Sequence, residues 1–185
     1  MSIKWFPLKK TRPGDIPAPL FACLQEKGSF TKHLGKYCKG KLRLEIIKQS
    51  WQKPLIHEAR ELKLRNGEYA LVREIYFMCD NVPWVYARSI IPRNTLRGAQ
   101  RRIVYLGARS LGSYLFSLQT SYRDKMQIAK IPDNDKLYSL ALNNQVGSVK
   151  FLWGRRSLFY IREKPLLVNE IFLPGGIECI NSENS

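Results

Sequence analysis

Alternation of apolar and polar residues predicts an antiparallel hairpin near the end of the chain. Residues 157–173 alternate in two runs, and a Glu-Lys-Pro turn at 163–165 separates them. Side chains two positions apart share one face of a strand, so Glu170 falls in the apolar row of Val168 and Phe172. Burying a bare carboxylate is costly, so Glu170 is predicted to be paired, protonated or poised to accept a hydrogen bond from a ligand.

A second hairpin is predicted in the middle of the chain. Residues 69–79 and 84–91 read as two strands that flank a four-residue turn containing proline. Arg73 lies in the same apolar row as Ile75, so a guanidinium also points inward. Two interpretations of Arg73 and Glu170 stay open. They form a buried salt bridge with each other, or they form a site for a small polar ligand.

Shorter patterns predict the other elements. Proline, glycine and N-cap signals predict helices after Pro17, Ser29, Thr95 and Ser110, the third ending at Leu106. Further strands are predicted at 42–47 and in the alternating run Tyr122, Asp124, Met126 and Ile128. Residues 132–148 fit either a loop with a short helix or an extended hairpin, and 1–16 and 175–185 are expected to be an extended arm and a frayed tail.

These elements predict an α+β fold in a single domain that spans residues 1–185. The expected architecture is one antiparallel β-sheet of about six strands, mostly joined as hairpins, with helices covering one face. A chain of 185 residues is long enough for one well-buried core and short for two.

The net charge of +16 changes the picture of possible partners. It favours nucleic acid, an acidic membrane surface or a small dianion. The 31 lysine and arginine residues are scattered, and no zinc-finger, RNA-recognition or basic-zipper pattern is present. A solvated basic surface is therefore the simpler interpretation, and no nucleic-acid partner is expected. Because no apolar segment is long enough to span a bilayer or to serve as a signal peptide, a cytoplasmic protein without stable membrane insertion is predicted.

Motifs for metal, cofactor or nucleophile chemistry are missing from the sequence. It contains no glycine-rich phosphate loop, no GxSxG and no CxxC pair, and its two histidines are His33 and His57. We therefore predict no cofactor and no metal, and we expect the cysteines to be thiols in a reducing compartment. The cysteines are Cys23, Cys38, Cys79 and Cys179.

Several dispersed strings resemble the chorismate lyase family. They are GSFTKHL at 28–34, LWGRRS at 152–157, KPLL at 164–167 and NEIFLP at 169–174. A match of several motifs in the right order is more specific than any one of them. The resemblance implies an enzyme that removes pyruvate from chorismate, a dianion, and leaves 4-hydroxybenzoate for ubiquinone biosynthesis.

The same resemblance implies ligand contacts at Phe30, Arg73, Leu111 and Glu170. Arg73 and the Leu111 amide would bind the ring carboxylate, Glu170 would accept from the opposite hydroxyl, and Phe30 would lie in a flap over the site, where one family member has methionine. Arg73 and Glu170 are the expected catalytic residues, since their strand faces also mark them as inward. Three further arginines are candidates for the second carboxylate, although surface or structural roles are the simpler interpretation. They are Arg88, Arg155 and Arg156.

Two other function classes stay open. The fold is similar to the effector domains of some bacterial transcription regulators, so a sensor would bind a hydroxybenzoate without releasing pyruvate. The segment before Pro17 is too short for the winged-helix domain of such regulators. A nucleic-acid-binding protein would instead show affinity that falls steeply with salt. We predict the enzyme, acting as a monomer.

Overall fold

Seven antiparallel strands form one sheet in the computed structural model, which describes residues 3–7, 10, 14, 16–143 and 149–182. The strand order is β1-β5-β6-β7-β4-β3-β2, so the two predicted hairpins, β3–β4 and β6–β7, lie side by side at the centre. The strands are β1 (Phe6–Pro7), β2 (Leu42–Gln52), β3 (Ala70–Cys79), β4 (Val82–Pro92), β5 (Ser121–Pro132), β6 (Phe151–Ile161) and β7 (Lys164–Phe172).

Helices cover both faces of this sheet. The face that carries Arg73 and Glu170, here called the near face, packs against α1, α2, α4, α6 and two 3₁₀ helices. The far face packs against α3 and α5. The helices are α1 (Ala18–Gln25), α2 (Phe30–Gly35), α3 (Ile56–Glu61), α4 (Leu111–Ser117), α5 (Lys136–Ala141) and α6 (Pro174–Ser182), and the 3₁₀ helices are Arg93–Leu96 and Gly98–Tyr105.

The α+β class and the single antiparallel sheet are confirmed. The sheet has seven strands instead of about six, because two residues of the predicted arm form β1 against β5. Helices lie on both faces instead of one, and β3 and β4 are accordingly buried almost along their whole length. Strands buried on both faces show long apolar runs instead of alternation. The alternation pattern therefore did not reveal that the second face of the sheet is covered.

Three local predictions are corrected. The helix expected from Thr95 to Leu106 is two 3₁₀ helices, since Gly98, the first residue of the second, adopts φ +63° and interrupts the helical run. The expected frayed tail contains α6, whose Gly176 lies so close to β4 that a Cβ there would be 2.6 Å from the carbonyl oxygen of Trp84. Within 132–148 a short helix, α5, forms, while 144–148 lie outside the described residues.

A disulfide joins Cys38, just after α2, to Cys79 at the end of β3. The expectation of a thiol was therefore wrong for these two residues, whose Cα atoms lie 5.8 Å apart although 41 positions separate them in sequence. Cys23 is a thiol, and burial raises its pKa to about 12, so it stays protonated at neutral pH. None of the described helices has the length and apolar character needed to cross a membrane.

Candidate active site

The register of the central strands places Arg73 and Glu170 on the near face, two strands apart. Arg73 pairs with Ser89 of β4, and Ala87, two residues earlier on β4, pairs with Glu170 of β7. A strand spacing of about 4.8 Å and a rise of about 3.4 Å per residue separate the Cα atoms of Arg73 and Glu170 by about 12 Å. Their side chains thus enclose space on the near face from opposite sides.

A cavity of ≈ 40 Å³ lies there, between the sheet and the helices of the near face. All four residues predicted from the sequence line it: Phe30, Arg73, Leu111 and Glu170. Arg123 and Arg155 line it as well. Because three guanidinium groups face one carboxylate, the formal charge of the lining is +2. This excess of positive charge suits an anionic ligand.

Arg73 is buried without a carboxylate partner among the described residues. Its Nη2 donates to the carbonyl oxygens of Gly107 and Arg109, at 2.8 and 2.9 Å. Its Nε has no hydrogen-bond partner in the part of the chain that the structure describes. Burial lowers the pKa of Arg73, since the charged form loses hydration. An anion in the cavity would offset that loss.

Glu170 pairs with Arg155, so the predicted alternative of a salt bridge between Arg73 and Glu170 is wrong. Arg155 stands directly opposite on β6, and its Nε donates to Oε2 of Glu170 at 2.5 Å. Nη1 of Arg155 also donates to the carbonyl oxygens of Cys23 and Glu26, each at 2.9 Å. Arg155 therefore fixes the Glu170 carboxylate and fastens the end of α1 over the cavity.

The cavity is covered by the start of α2 and by the segment that joins α2 to α1. Phe30 at the start of α2 is 6% exposed, and its ring packs edge-on against Phe77 at 5.6 Å between centroids. The guanidinium of Arg155 lies 4.0 Å from the centroid of the Phe30 ring. Thr31 donates to Ser110 Oγ at 3.1 Å, which joins α2 to α4. The volume of ≈ 40 Å³ is near that of a single water and smaller than a benzoate, so this structure shows the cavity closed around its lining residues.

Leu111 is the first residue of α4 and contributes to the cavity wall. Ser110 is the N-cap, as predicted, and its Oγ accepts from the Ser113 amide at 3.2 Å. Residues 110–112, at the start of α4, line the cavity together with Arg73. The positive end of the helix and the guanidinium group both favour a carboxylate.

Arg123 lines the cavity, and the sequence analysis did not include it among the candidate residues. A β-bulge between Arg123 and Lys125 turns Arg123 to the near face with Met126, whereas regular alternation places it on the far face. Its Nη1 donates to the carbonyl oxygen of Lys27 at 3.1 Å, and its guanidinium lies 4.9 Å from the centroid of the Phe159 ring. Burial and the charge of Arg155 lower the pKa of Arg123.

The three arginines considered for a second carboxylate are all buried, so the interpretation as surface residues is wrong. Arg155 lines the cavity, but Arg88 and Arg156 point to the far face. Arg88 pairs there with Glu58, and Arg156 pairs with Glu61 at 2.8 Å. Sequence alone did not distinguish the adjacent Arg155 and Arg156, since each face of β6 is buried.

The model of the family described as chorismate lyase matches residues 10–178 of this chain. The "Probable chorismate pyruvate-lyase" of Methylococcus capsulatus is 40% identical over 149 residues, which cover 80% of this chain and 91% of that protein. The protein with the same name in Nitrosomonas europaea is 35% identical over 172 residues, which cover 93% of this chain and 94% of that protein.

Solved structures with a similar fold include regulator domains at low sequence identity. A GntR-family transcriptional regulator from Bacillus cereus matches with a TM-score of 0.53 and 14% identity, covering 74% of this chain and 94% of that chain. The C-terminal domain of the histidine utilization repressor from Pseudomonas syringae matches with a TM-score of 0.54 and 9% identity, covering 73% of this chain and 93% of that chain. These likenesses concern the fold alone.

Proposed function

Because the chain belongs to the chorismate lyase family, we propose that it converts chorismate to 4-hydroxybenzoate and pyruvate. The observation that carries this proposal is the cavity, whose lining holds three guanidinium groups and one carboxylate. Chorismate is a dianion with a hydroxyl group on the ring, so its two carboxylates match the excess charge and its hydroxyl matches the carboxylate.

In this proposal the two ends of the cavity bind the two ends of the ring. Arg73 and the Leu111 amide bind the ring carboxylate, because the unpartnered Nε of Arg73 and the start of α4 meet there. Glu170, held by Arg155, accepts a hydrogen bond from the ring hydroxyl. Arg123 binds the carboxylate of the enolpyruvyl group, and Phe30 closes the flap over the ring.

The proposed reaction is an elimination that makes the ring aromatic. The bond between the ring and the enolpyruvyl oxygen breaks, and the neighbouring ring carbon, which bears the hydroxyl, loses its hydrogen as a proton. The departing enolpyruvate takes up a proton and becomes pyruvate. Aromatisation supplies the driving force, so the residues contribute mainly by positioning the substrate and by stabilising charge in a site closed to water.

The pathway, the cellular localisation and the oligomeric state are part of the same proposal. The product would serve ubiquinone biosynthesis, and we expect the enzyme to act in the cytoplasm as a monomer. Cysteines of cytoplasmic proteins are mostly reduced, so reduced Cys38 and Cys79 in protein taken from cells would support this localisation and a disulfide would count against it.

The experiment that tests the function is to mix the purified chain with chorismate in EDTA and to follow pyruvate and 4-hydroxybenzoate together. Equal amounts of both products, formed above the uncatalysed rate, are expected. If 4-hydroxybenzoate raises the thermal stability of the protein but no pyruvate is released, the protein is a sensor and not an enzyme. If the chain neither releases pyruvate nor is stabilised by 4-hydroxybenzoate, the proposal has no support.

Arg123→Ala is expected to weaken chorismate binding selectively. Chorismate carries the second carboxylate and 4-hydroxybenzoate does not, so KM for chorismate should rise about tenfold or more while the Kd of 4-hydroxybenzoate changes little. Isothermal calorimetry and initial rates measure the two quantities. Lys125→Ala is the control, because Lys125 lies on the same strand but is 58% exposed and pairs with Glu61. An equal loss of affinity for both compounds would remove Arg123 from this role.

A further inference from the structure

An exposed basic and aromatic surface lies beside the site without taking part in it. Residues 93–109 contain five arginines and no acidic residue. Three of these arginines, Arg93, Arg97 and Arg101, line an open groove with Trp51 and Tyr105. We call these five residues the basic–aromatic patch.

The fold keeps the patch open to solvent. Trp51 at the end of the edge strand β2 is 43% exposed, and Tyr105 is 79% exposed. The buried side of the same segment holds Leu96 and Ile103, which anchor it to the near-face core. The three arginines of the patch are exposed and form no ion pair among the described residues. The patch is thus a fixed surface of positive charge that is not neutralised within this part of the chain.

We propose that the basic–aromatic patch binds an anionic membrane surface at the level of the lipid headgroups. Arginine is attracted to anionic lipid, and tryptophan and tyrosine prefer the boundary between headgroups and acyl chains. The apolar side of this segment is buried in the protein core, so only its exposed basic and aromatic side would touch the headgroups, and the contact would be peripheral. Such binding agrees with the lack of a membrane-spanning helix among the described residues.

The contacts within the patch favour a membrane over a nucleic acid. The guanidinium of Arg93 lies 5.0 Å from the centroid of the Trp51 ring, so one face of that ring is occupied and not available to stack on a base. The arginines lie in one short segment, whereas a nucleic-acid strand is bound along a groove that follows several phosphates. A lipid headgroup layer needs only a compact charged area with apolar edges.

The site of the patch also places it next to the substrate cavity. The segment that bears Tyr105 continues to Gly107 and Arg109, whose carbonyl oxygens bind Arg73. The side chain of Gln49 on β2 donates to the carbonyl oxygen of Val104 at 2.8 Å, which holds the segment against the sheet. A membrane bound at the patch would therefore touch the same segment that holds Arg73 at the cavity.

The test is co-sedimentation of the full chain with vesicles at about 0.1 M salt. One set contains equal parts of phosphatidylcholine and phosphatidylglycerol, and the other contains phosphatidylcholine alone. Binding to the anionic set only is expected, and Arg97→Ala/Arg101→Ala should weaken it about 25-fold, since each basic residue contributes about fivefold. The control Arg60→Ala/Arg65→Ala removes the same charge from two exposed arginines outside the patch and should change binding little.

Quenching of tryptophan fluorescence by brominated lipid adds a second measurement, which reports insertion of Trp51 and not charge attraction alone. Trp51 is 43% exposed, whereas Trp84 and Trp153 are buried and the half-buried Trp5 packs against the far-face core. The bound chain should therefore lose fluorescence, and Trp51→Phe should remove most of the loss. Chorismate turnover in solution should be unchanged in all these variants, which separates this proposal from the proposed function. Failure to pellet, equal weakening by the control pair, lack of quenching, or patch-dependent binding of oligonucleotide in place of vesicles would each overturn the proposal.

Discussion

Arg73→Ala and Glu170→Gln are each expected to reduce kcat/KM for chorismate by about 100-fold or more while leaving the protein folded. Arg73 carries a buried charge whose partners are carbonyl oxygens, so its removal takes away the strongest anchor for the ring carboxylate. Glu170→Gln keeps the shape of the side chain but leaves Arg155 without its carboxylate. The position of the ring and the charge around the breaking bond both change.

Steady-state kinetics and circular dichroism check this prediction. Glu163→Gln is the matched control for Glu170→Gln, because Glu163 lies in the turn of the same hairpin and is exposed. Arg60→Ala is the control for Arg73→Ala, since Arg60 is an exposed arginine that does not line the cavity. If both site variants turn over chorismate normally, the site assignment is wrong. A loss of activity that accompanies loss of folded structure does not support it.

Glu58→Ala is expected to lower the free energy of unfolding by about 3–5 kcal/mol, because it breaks a buried ion pair on the far face. Glu58 is 0% exposed, and its Oε1 accepts from Arg88 at 3.0 Å and from Asn169 at 2.9 Å. Arg88 also donates to Glu74 at 2.7 Å. Burial raises the pKa of Glu58, although the charge of Arg88 opposes this rise. Burial also opposes the charged form of Arg88, but the carboxylates of Glu58 and Glu74 outweigh it and raise the pKa of Arg88.

A triple variant separates this network from simple packing. Glu58→Leu/Glu74→Gln/Arg88→Met removes all three charges and keeps most of the volume, so it should recover much of the stability that Glu58→Ala loses. Urea denaturation followed by tryptophan fluorescence measures both. Glu45→Ala is the control, since the pair of Arg43 and Glu45 is exposed and should contribute at most about 1 kcal/mol. Equal effects of Glu45→Ala and Glu58→Ala would contradict the importance of burial.

The inward direction of the two main site residues was predictable from local pattern. On regular strands side chains alternate strictly, so the neighbours of Arg73 and Glu170 in sequence fixed the face on which each lies. The N-cap at Ser110 and the two central hairpins were predictable for the same local reason. The candidates Phe30 and Leu111 came from the resemblance to a family, because neither lies in an alternating strand pattern.

Features that depend on contacts distant in sequence were not predictable in this way. The bulge that turns Arg123 inward depends on the pairing of β5 with β6. The disulfide depends on the end of α2 meeting the end of β3, and cysteine spacing does not show which residues approach. Likewise α6 forms where the sequence suggested a frayed tail, because Gly176 allows it to lie against the backbone of Trp84.

The sequence by itself determined the fold class, the central hairpins and the inward direction of Arg73 and Glu170, because each follows from residues close together in the chain. Only the tertiary structure decided which charges pair. Arg155 binds Glu170, Arg88 binds Glu58, and Arg73 faces the cavity without a carboxylate partner among the described residues. The physical reason is that pairing depends on strand register and on which helix covers each face, and both are set by contacts between distant segments.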